Sequence, residues 1–237
     1  MSRRRWIADE VSGNRAALTG EHAQHLSRVL RARVGQEFEI ATGENVRLGC
    51  ITRIGPDRVE FTLGDEITAT SSANVTLALS VFKFDRMEWA IEKCTELGAT
   101  RIVPVIASRS ETHLGAAALK RVERWQRIAL QASEQSRRSS PPQIEQPVKL
   151  TAAVALPGAM RIVLAESEQQ TMLKDVLHDA HSARDIVLAC GPEGGWTEPE
   201  LELFRDAGWI SASLGTTILR VETAAIAALA VTLSELA

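Results

Sequence analysis

Residues 191–197 read "GPEGGWT" and stand between an apolar run, "DIVLAC" (185–190), and a helix-like segment, "EPELELFRDAG" (198–208). The loop holds three glycines in five residues, and glycine loses more backbone freedom on folding than any other residue. A simple turn needs only one or two of them. Glycines also let a backbone approach a ligand closely with its N–H and C=O groups unhindered. The stretch therefore predicts a ligand loop between a buried strand and a helix.

The chain around this loop alternates between apolar strands and helices. Continuous apolar runs indicate strands that are buried on both faces of a parallel sheet, with helices covering each face. Such sheets bind ligands beyond the carboxyl ends of their strands. The predicted strands are 75–82, 101–107, 161–166, 185–190 and 209–214, and the predicted helices are 86–98, 116–137, 171–180 and two that begin at Glu198 and near Glu222.

Several residues predict where these helices begin and end. Asp85 is expected to cap helix 86–98 and Gly98 to end it. Thr197 and Glu200 have the spacing of a capping box for the helix that follows the glycine loop. The residues expected on buried helix positions are Met87, Ile91, Cys94 and Leu97, with Trp89 and Trp125 also predicted as core rather than as base-stacking surfaces.

Residues 1–70 have a different pattern and predict a separate domain. A helix is expected over Glu21–Ala32 with Thr19 as its N-cap. Short strand-like runs follow at 37–42, 46–54 and 58–63. Their tight spacing, with glycines between them, is typical of a small β-barrel or sandwich. The polar stretch 68–74 reads as a linker, and a second domain is expected over 75–237.

The composition argues against a metal site, a membrane span and a signal peptide. The chain has 237 residues, a net charge of −3 and a pI near 6.0. Residues 1–35 and 120–138 each carry a local charge of +4, which favours either a polyanion contact or merely solvated helix faces. The three cysteines are far apart and show no metal-site spacing. No apolar run is long enough for a membrane span, and the N-terminus lacks the apolar core of a signal peptide.

The glycine loop excludes the two obvious nucleotide motifs. It lacks the Gly-Lys-Ser/Thr of a phosphate-binding P-loop and the G-x-G-x-x-G of a dinucleotide fold. Glu193 inside the loop also disfavours a phosphate and would suit a ribose diol, an ammonium or a sulfonium. Two more strand ends carry polar residues, at Glu166 and between Gly215 and Glu222. Each of the three could equally be an ordinary strand-to-helix turn.

Two motifs together carry a family resemblance. "GPEGGWT" followed by "LGTTILRVETAAIAAL" resembles the paired C-terminal motifs of the RsmE family, the bacterial 16S rRNA uracil-N3 methyltransferases. "HLSRVLRARVGQ", "KFDRMEWAIEKCTELG", "IVPVIASRSE" and "ERWQRIALQASEQSRR" match the same family in order along almost the whole chain. The departures are Phe84 for a usual Gly, Trp196-Thr197 for Phe-Ser, Thr217 for a basic residue and Arg137 for Gly.

The resemblance implies a fold, a cofactor and partners. The fold would be α/β of the SPOUT class, a knotted, mostly parallel sheet with helices on both faces, preceded by a small PUA-like β-barrel that binds RNA. The cofactor would be S-adenosylmethionine and the substrate 16S rRNA, in the cytoplasm, with no metal. A homodimer is also implied, and the final helix, apolar on nearly every face, needs cover beyond its own sheet.

The resemblance also implies site residues. Three strand ends would form the walls of the methyl-donor pocket: Leu164, Ala165, Glu166; Gly191, Pro192, Glu193, Gly194, Gly195; and Leu214, Gly215, Ile218, Leu219. Arg220 is expected to stabilise the uracil anion, and Glu222 to act either as the base or as a carboxylate near the helix N-terminus. The expected RNA contacts are Arg3, Arg4, His25, Arg28, Arg31, Arg109, Gln135 and Arg138.

Two other functions remain open from the sequence. One is methylation of a different RNA position by an enzyme of the same class. The other is a non-catalytic RNA-binding adaptor of the same fold, which need not bind S-adenosylmethionine. A nucleotide-hydrolysing α/β protein is disfavoured by the missing phosphate motif.

Overall fold

The computed structural model describes residues 5–43, 45–67, 73–136, 138–178 and 184–236. The chain forms two compact units. The first comprises Met1–Ser71 and Ser133–Pro141, and the second comprises Ser72–Ala132 and Pro142–Ala237. The segment Ser133–Pro141 therefore groups with the N-terminal unit, although the sequence pattern placed it in the second domain. Most of the expected linker 68–74 lies outside the described residues.

The first unit is a six-stranded sheet that curls around its own core. Its strands are β1 (Arg5–Ile7), β2 (Glu10–Ser12), β3 (Arg15–Thr19), β4 (Glu37–Ala41), β5 (Val46–Ile54) and β6 (Arg58–Ile67), in the order β1-β4-β5-β6-β3-β2. All pairs are antiparallel except β1 with β4. Trp6, Leu18, Ile40 and Phe61 fill the interior. The small β unit expected from the glycine-marked strands is confirmed.

The helical stretch between β3 and β4 is irregular. Thr19 precedes α1 (Gly20–Gln24) as its N-cap, although its side chain makes no capping hydrogen bond. The helix then widens into a π-helical turn over His25–Val29, so the regular helix expected over Glu21–Ala32 is wrong in its second half. Just after it, Arg31 has a φ of 52°, a left-handed conformation that costs a non-glycine residue free energy.

The second unit is built on a seven-stranded parallel sheet. The strand order is β10-β8-β7-β12-β11-β13, with β9 paired to β8. Every pair in it is parallel. The strands are β7 (Asn74–Ser80), β8 (Arg101–Ile106), β9 (Gln143–Ile144), β10 (Val148–Lys149), β11 (Met160–Leu164), β12 (Asp185–Cys190) and β13 (Ile210–Ala212).

Both faces of this sheet are buried. Along β12, Ile186 and Leu188 point into one apolar cluster, whereas Val187 and Ala189 point into the other. Successive strand side chains point to opposite faces, so a strand covered on both sides must be apolar throughout. This arrangement confirms the prediction of a parallel sheet with helices on both faces.

The helices of the second unit follow the predicted order with shifted ends. They are α2 (Phe84–Leu97), α3 (Thr112–Ala118), α4 (Val122–Gln135), α5 (Leu150–Val154), α6 (Leu173–His178), α7 (Glu198–Asp206) and α8 (Val221–Glu235). A 3-10 turn, Leu119–Arg121, lies between α3 and α4. The single long helix expected over 116–137 is therefore two helices, and the expected end of helix 171–180 lies outside the described residues.

Some local predictions on these helices hold and others are wrong. Gly98 ends α2 with a φ of 128°, as expected. Asp85 is not the N-cap, because Lys83 occupies that position and Asp85 lies in the first turn. Trp125 is fully buried, but Trp89 and Leu97 are 47% and 40% exposed. The prediction of these last two as core residues is wrong.

Within the described ranges, no helix is long and apolar enough to cross a membrane.

Candidate active site

Three neighbouring strands end at one edge of the parallel sheet. In the second unit, β11 lies between β12 and β13 and pairs in parallel with both. The segments that follow them are the three strand ends singled out in the sequence. Because parallel neighbours present their carboxyl ends at the same edge, these segments meet.

A cavity of about 720 Å³, its open mouth included, lies at this edge. The lining residues are Leu164, Ala165, Glu166, Cys190, Gly191, Pro192, Gly195, Trp196, Ala212, Ser213, Leu214, Gly215, Thr216, Thr217, Ile218, Leu219, Val221 and Ala224. The structure thus brings together the predicted walls, with the exception of Glu193 and Gly194.

Thr216 and Thr217 lie within the predicted wall 214–219, whereas six lining residues were not foreseen, namely Cys190, Trp196, Ala212, Ser213, Val221 and Ala224. Each lies within two positions of a residue predicted for the site, so slightly wider motif boundaries would have included them. Burial raises the pKa of the Cys190 thiol to about 12, so this side chain is neutral at the cavity wall.

The glycine loop follows β12 in a tight turn. Gly195 donates its backbone N–H to the Pro192 carbonyl at 2.8 Å and has a φ of 69°. Residues with a side chain rarely adopt that conformation. Gly215, on the opposite wall, has a φ of 139°. Glycine is therefore required at these two positions by the backbone itself.

Trp196 ties two walls of the cavity together. Its ring is 8% exposed, and its Nε1–H donates to the Leu164 carbonyl at 3.1 Å. A phenylalanine, which is common at this position in the family that the sequence resembles, has no N–H and could not make this bond.

Arg109 holds the glycine loop from another side. Its Nη1 donates to the Gly194 carbonyl at 2.5 Å and, more weakly, to the Trp196 carbonyl at 3.5 Å. A Cβ on Gly194 would lie 3.1 Å from Arg109 Cδ. The sequence suggested an RNA contact for Arg109; in the structure its guanidinium is occupied by the backbone of the loop.

The helix after the loop begins with the expected capping box. The Glu200 carboxylate accepts from the Thr197 N–H at 2.8 Å and the Thr197 hydroxyl at 2.9 Å. Its other oxygen accepts from the Ser108 N–H at 2.7 Å. Burial opposes ionisation of Glu200, but these hydrogen bonds outweigh it and lower its pKa. The loop after β8 is therefore fastened to the start of α7 as well as to the glycine loop.

The chain is similar in sequence to known RNA methyltransferases. The family model described as "RNA methyltransferase domain" matches residues 69–233, and "RNA methyltransferase PUA domain" matches residues 18–64. The Ribosomal RNA small subunit methyltransferase E of Synechocystis is 34% identical over 221 residues, covering 90% of this chain and 71% of the relative. That of Rickettsia conorii is 31% identical, covering 88% and 85%.

The chain belongs to the ribosomal RNA small subunit methyltransferase E family.

This membership confirms the resemblance drawn from the glycine loop and the motif around Arg220. The family member from Neisseria gonorrhoeae, solved bound to S-adenosyl methionine, is 31% identical with a TM-score of 0.84, and the match covers 97% of this chain and 96% of that one. A putative methyltransferase from Legionella pneumophila, solved with bound SAM, is 28% identical with a TM-score of 0.84, covering 99% and 98%.

Arg220 and Glu222 stand beside the cavity but not among its lining residues. Arg220 is exposed and is the N-cap residue of α8. Its neighbours Leu219 and Val221 both line the cavity. The Glu222 side chain is buried, and its Oε1 lies 3.9 Å from Nε of Arg86 on α2. Glu193 also turns to Arg86, with 3.6 Å between Oε1 and Nη1. No role for Arg86 was expected from the sequence.

The other expected RNA contacts are distributed over the first unit. His25, Arg28, Arg31 and Gln135 are exposed, while Arg138 is half-buried. Burial lowers the pKa of the Arg138 guanidinium, which nevertheless remains charged because arginine titrates far above neutrality. Arg3 and Arg4 lie outside the described residues. In the part of the chain that the structure describes, no group of three or more histidine, cysteine or carboxylate side chains is placed to hold a metal ion.

Proposed function

We propose that this protein transfers a methyl group from S-adenosylmethionine to N3 of a uridine in 16S rRNA. The observation that carries this proposal is the cavity at the carboxyl ends of β11, β12 and β13, in a chain of this family. Most of its lining comes from Leu164–Glu166, from Gly191, Pro192 and Gly195, and from Leu214–Leu219.

The chemistry of the cavity fits that cofactor. Of the described lining residues, Glu166 is the one with a charge, and none is a lysine or arginine. A phosphate-bearing ligand would require positive charge or a cradle of N–H groups. A cationic ligand without phosphate suits a lone carboxylate, backbone carbonyls and an apolar floor. Bound S-adenosylmethionine supplies an electrophilic methyl group at this place.

The chain's own residues then have to prepare the nucleophile. N3 of uracil carries a proton at neutral pH and is a poor nucleophile until that proton leaves. Arg220, exposed beside the cavity, stabilises the negative charge that develops on the uracil carbonyl oxygens, because a fixed guanidinium favours a nearby anion. Holding the base and the methyl donor in line contributes the rest of the acceleration.

Glu222 has the properties of a structural residue rather than of the base. It lies in the first turn of α8, where a carboxylate interacts favourably with the helix dipole. Its side chain is buried, lies 3.9 Å from Arg86 and is not among the residues that line the cavity. The N3 proton therefore leaves to water while Arg220 stabilises the anion.

The N-terminal unit is proposed as the RNA-binding domain, within the division into residues 1–70 and 75–237. His25, Arg28 and Arg31 are exposed around its π-helical turn, and contacts to phosphates position an RNA without reading its sequence. A protein with this proposed substrate would act in the cytoplasm, on the small ribosomal subunit.

A homodimer and a C-terminal trefoil knot complete the proposal. On α8, Thr223, Ala230 and Ser234 are exposed, and small side chains permit a second helix to approach closely. On α2, which packs against α8, Trp89 and Leu97 are exposed as well. A second copy of the chain would cover this surface. A monomeric mass by light scattering at micromolar concentration would contradict the dimer.

The test of the function is methyl transfer to 16S rRNA from cells that lack the endogenous activity, followed by nucleoside mass spectrometry. We expect N3-methyluridine and no other methylated nucleoside. A different methylated nucleoside would indicate another RNA position. Calorimetric binding of S-adenosylmethionine without transfer to any RNA would favour the adaptor.

A further inference from the structure

Arg86 lies between two carboxylates of the candidate site. It is the third residue of α2, and its side chain is 35% exposed. Its Nη1 is 3.6 Å from Oε1 of Glu193, and its Nε is 3.9 Å from Oε1 of Glu222. One guanidinium therefore joins the glycine loop to the first turn of α8.

Glu222 depends on this contact. Its side chain is 8% exposed, and its Oε2 is buried without a hydrogen-bond partner among the described residues. A buried carboxylate that loses its counter-charge is strongly destabilising. Among the described residues, Arg86 is the cation within ion-pair distance of Glu222.

Both carboxylates belong to segments that shape the site. Glu193 follows Pro192, which lines the cavity. Glu222 follows Val221, another lining residue, and stands two positions after Arg220. A shift of either carboxylate would therefore move a wall of the cavity or the guanidinium of Arg220.

We propose that Arg86 is a positioning residue, whose charge holds Glu193 and Glu222 in place and thereby fixes the glycine loop against the start of α8. Its effect on methyl transfer rests on the proposed function; its effect on stability does not. Both contacts exceed the 2.7–3.2 Å typical of N–H···O hydrogen bonds, so the interaction depends on charge rather than on the planar fork of arginine. A lysine should therefore serve in its place.

The first experiment compares Arg86→Gln and Arg86→Lys with Arg101→Gln. Arg101 is the matched control, because its side chain is 31% exposed and pairs with Glu145 at 3.0 Å, and it does not line the cavity. We expect Arg86→Gln to lower kcat for rRNA methylation by about tenfold or more, through misplacement of reacting groups, with a smaller change in KM for rRNA. Arg86→Lys should stay within a few-fold of the wild type, and Arg101→Gln should match the wild type. If Arg86→Lys is as impaired as Arg86→Gln, the proposal is wrong.

The second experiment needs no substrate. Thermal melting is measured for Arg86→Gln, Glu222→Gln and the double variant. We expect Arg86→Gln to lower Tm by about 4 °C or more, as loss of one partner of a buried ion pair should in a chain of this size. The double variant should regain most of that loss, because no buried charge is left unpaired. If the Tm losses of the two single variants simply add in the double variant, the proposal is wrong. This test does not depend on the rRNA assay, and it holds even if no protein, wild type included, methylates the rRNA.

Discussion

The Arg109 guanidinium donates to the Gly194 carbonyl oxygen at 2.5 Å, which fastens the loop after β8 to the glycine loop after β12. The same two loops are joined a second time, where the Ser108 N–H donates to Glu200 at 2.7 Å. The wall of the cavity that β12 contributes is therefore held by its neighbour as well as by its own strand. Preorganisation of this kind lowers the entropic cost of ordering a loop around a ligand.

Arg109→Ala should weaken binding of S-adenosylmethionine without abolishing folding. Two backbone carbonyls of the loop would lose a charged donor. Hydrogen bonds to charged groups contribute about 1.5–3 kcal/mol each, more than those between neutral groups. Because the site is partly exposed, hydrogen bonds to water would replace part of this free energy. We therefore expect the affinity for S-adenosylmethionine, measured by calorimetry, to fall about tenfold. Arg205→Ala is the control, since Arg205 makes an exposed surface pair with Glu198 at 3.6 Å. Unchanged affinity in Arg109→Ala, together with weaker RNA binding, would favour the RNA contact expected from the sequence.

Arg109 contacts the glycine loop rather than the RNA that the sequence led us to expect, and this difference separates what the sequence can predict from what it cannot. Apolar runs and the glycine loop predict the parallel sheet and the cavity, because both follow from local patterns of burial and backbone freedom. The sequence does not show which way a long side chain turns. The Arg109 side chain contacts the carbonyl of Gly194, which is 85 positions away in the chain. The Glu193 side chain contacts Arg86, which is 107 positions away.

The same limit applies to helix positions. Leu97 and Trp89 have apolar side chains on an amphipathic helix, and the pattern alone predicts burial for both. Which part of the helix surface is covered depends on where α8 crosses it. The break between α3 and α4 has no proline or glycine to mark it, so local propensity could not have placed it.

Gly195→Ala should lower methyl-donor affinity beyond its effect on stability. The φ of 69° is unfavourable for alanine by about 1–2 kcal/mol, and the loop is expected to move to relieve it. Gly208→Ala is the matched control, because Gly208 has a φ of 77° in the same unit and does not line the cavity. We expect similar losses in Tm for the two variants, with reduced S-adenosylmethionine binding in Gly195→Ala alone. Equal binding by both would show that the conformation of Gly195 has no bearing on the cavity.

Trp196→Phe should separate the walls that the indole joins. Without the Nε1–H, the Leu164 carbonyl at the cavity loses its donor, and a group left unsatisfied costs about 1–3 kcal/mol. Trp209→Phe removes an equivalent bond, to the Val154 carbonyl at 2.9 Å, away from the cavity. Both variants should melt at lower temperature, but calorimetry should show weaker donor binding only for Trp196→Phe. Weaker binding in both would indicate a general loosening of the unit.

The N-terminal unit should lose stability as pH rises above 6.5, through the raised pKa of His22. The hydrogen bond from His22 to Asp9, 3.0 Å at Nδ1, raises the pKa of His22 above its usual value of 6.5, with Glu134 adding to the effect. A histidine whose pKa is higher in the folded state contributes stability below its unfolded pKa, and this is lost as pH rises through the folded value. His22→Gln should flatten the pH dependence of protection from hydrogen exchange in β1–β3 over that window. An NMR titration that places the pKa of His22 at or below 6.5 would contradict the prediction.

Arg220→Ala should slow methyl transfer while leaving donor affinity nearly intact, because Arg220 is exposed and does not line the cavity. If its guanidinium stabilises the uracil anion, its loss should cost on the order of 10²-fold in kcat, as for other preorganised electrostatic contacts. Raising the pH should then partly rescue the variant, because hydroxide begins to supply the anion that the protein no longer favours. Lysine at position 220 should rescue only in part, since it keeps the charge but loses the planar fork; lysine at position 86, where charge alone matters, should rescue almost fully. Single-turnover rates measured across pH, together with calorimetry of donor binding, check this contrast. An equal loss of donor binding and of rate in Arg220→Ala, with no rescue at high pH, would show that Arg220 only shapes the start of α8.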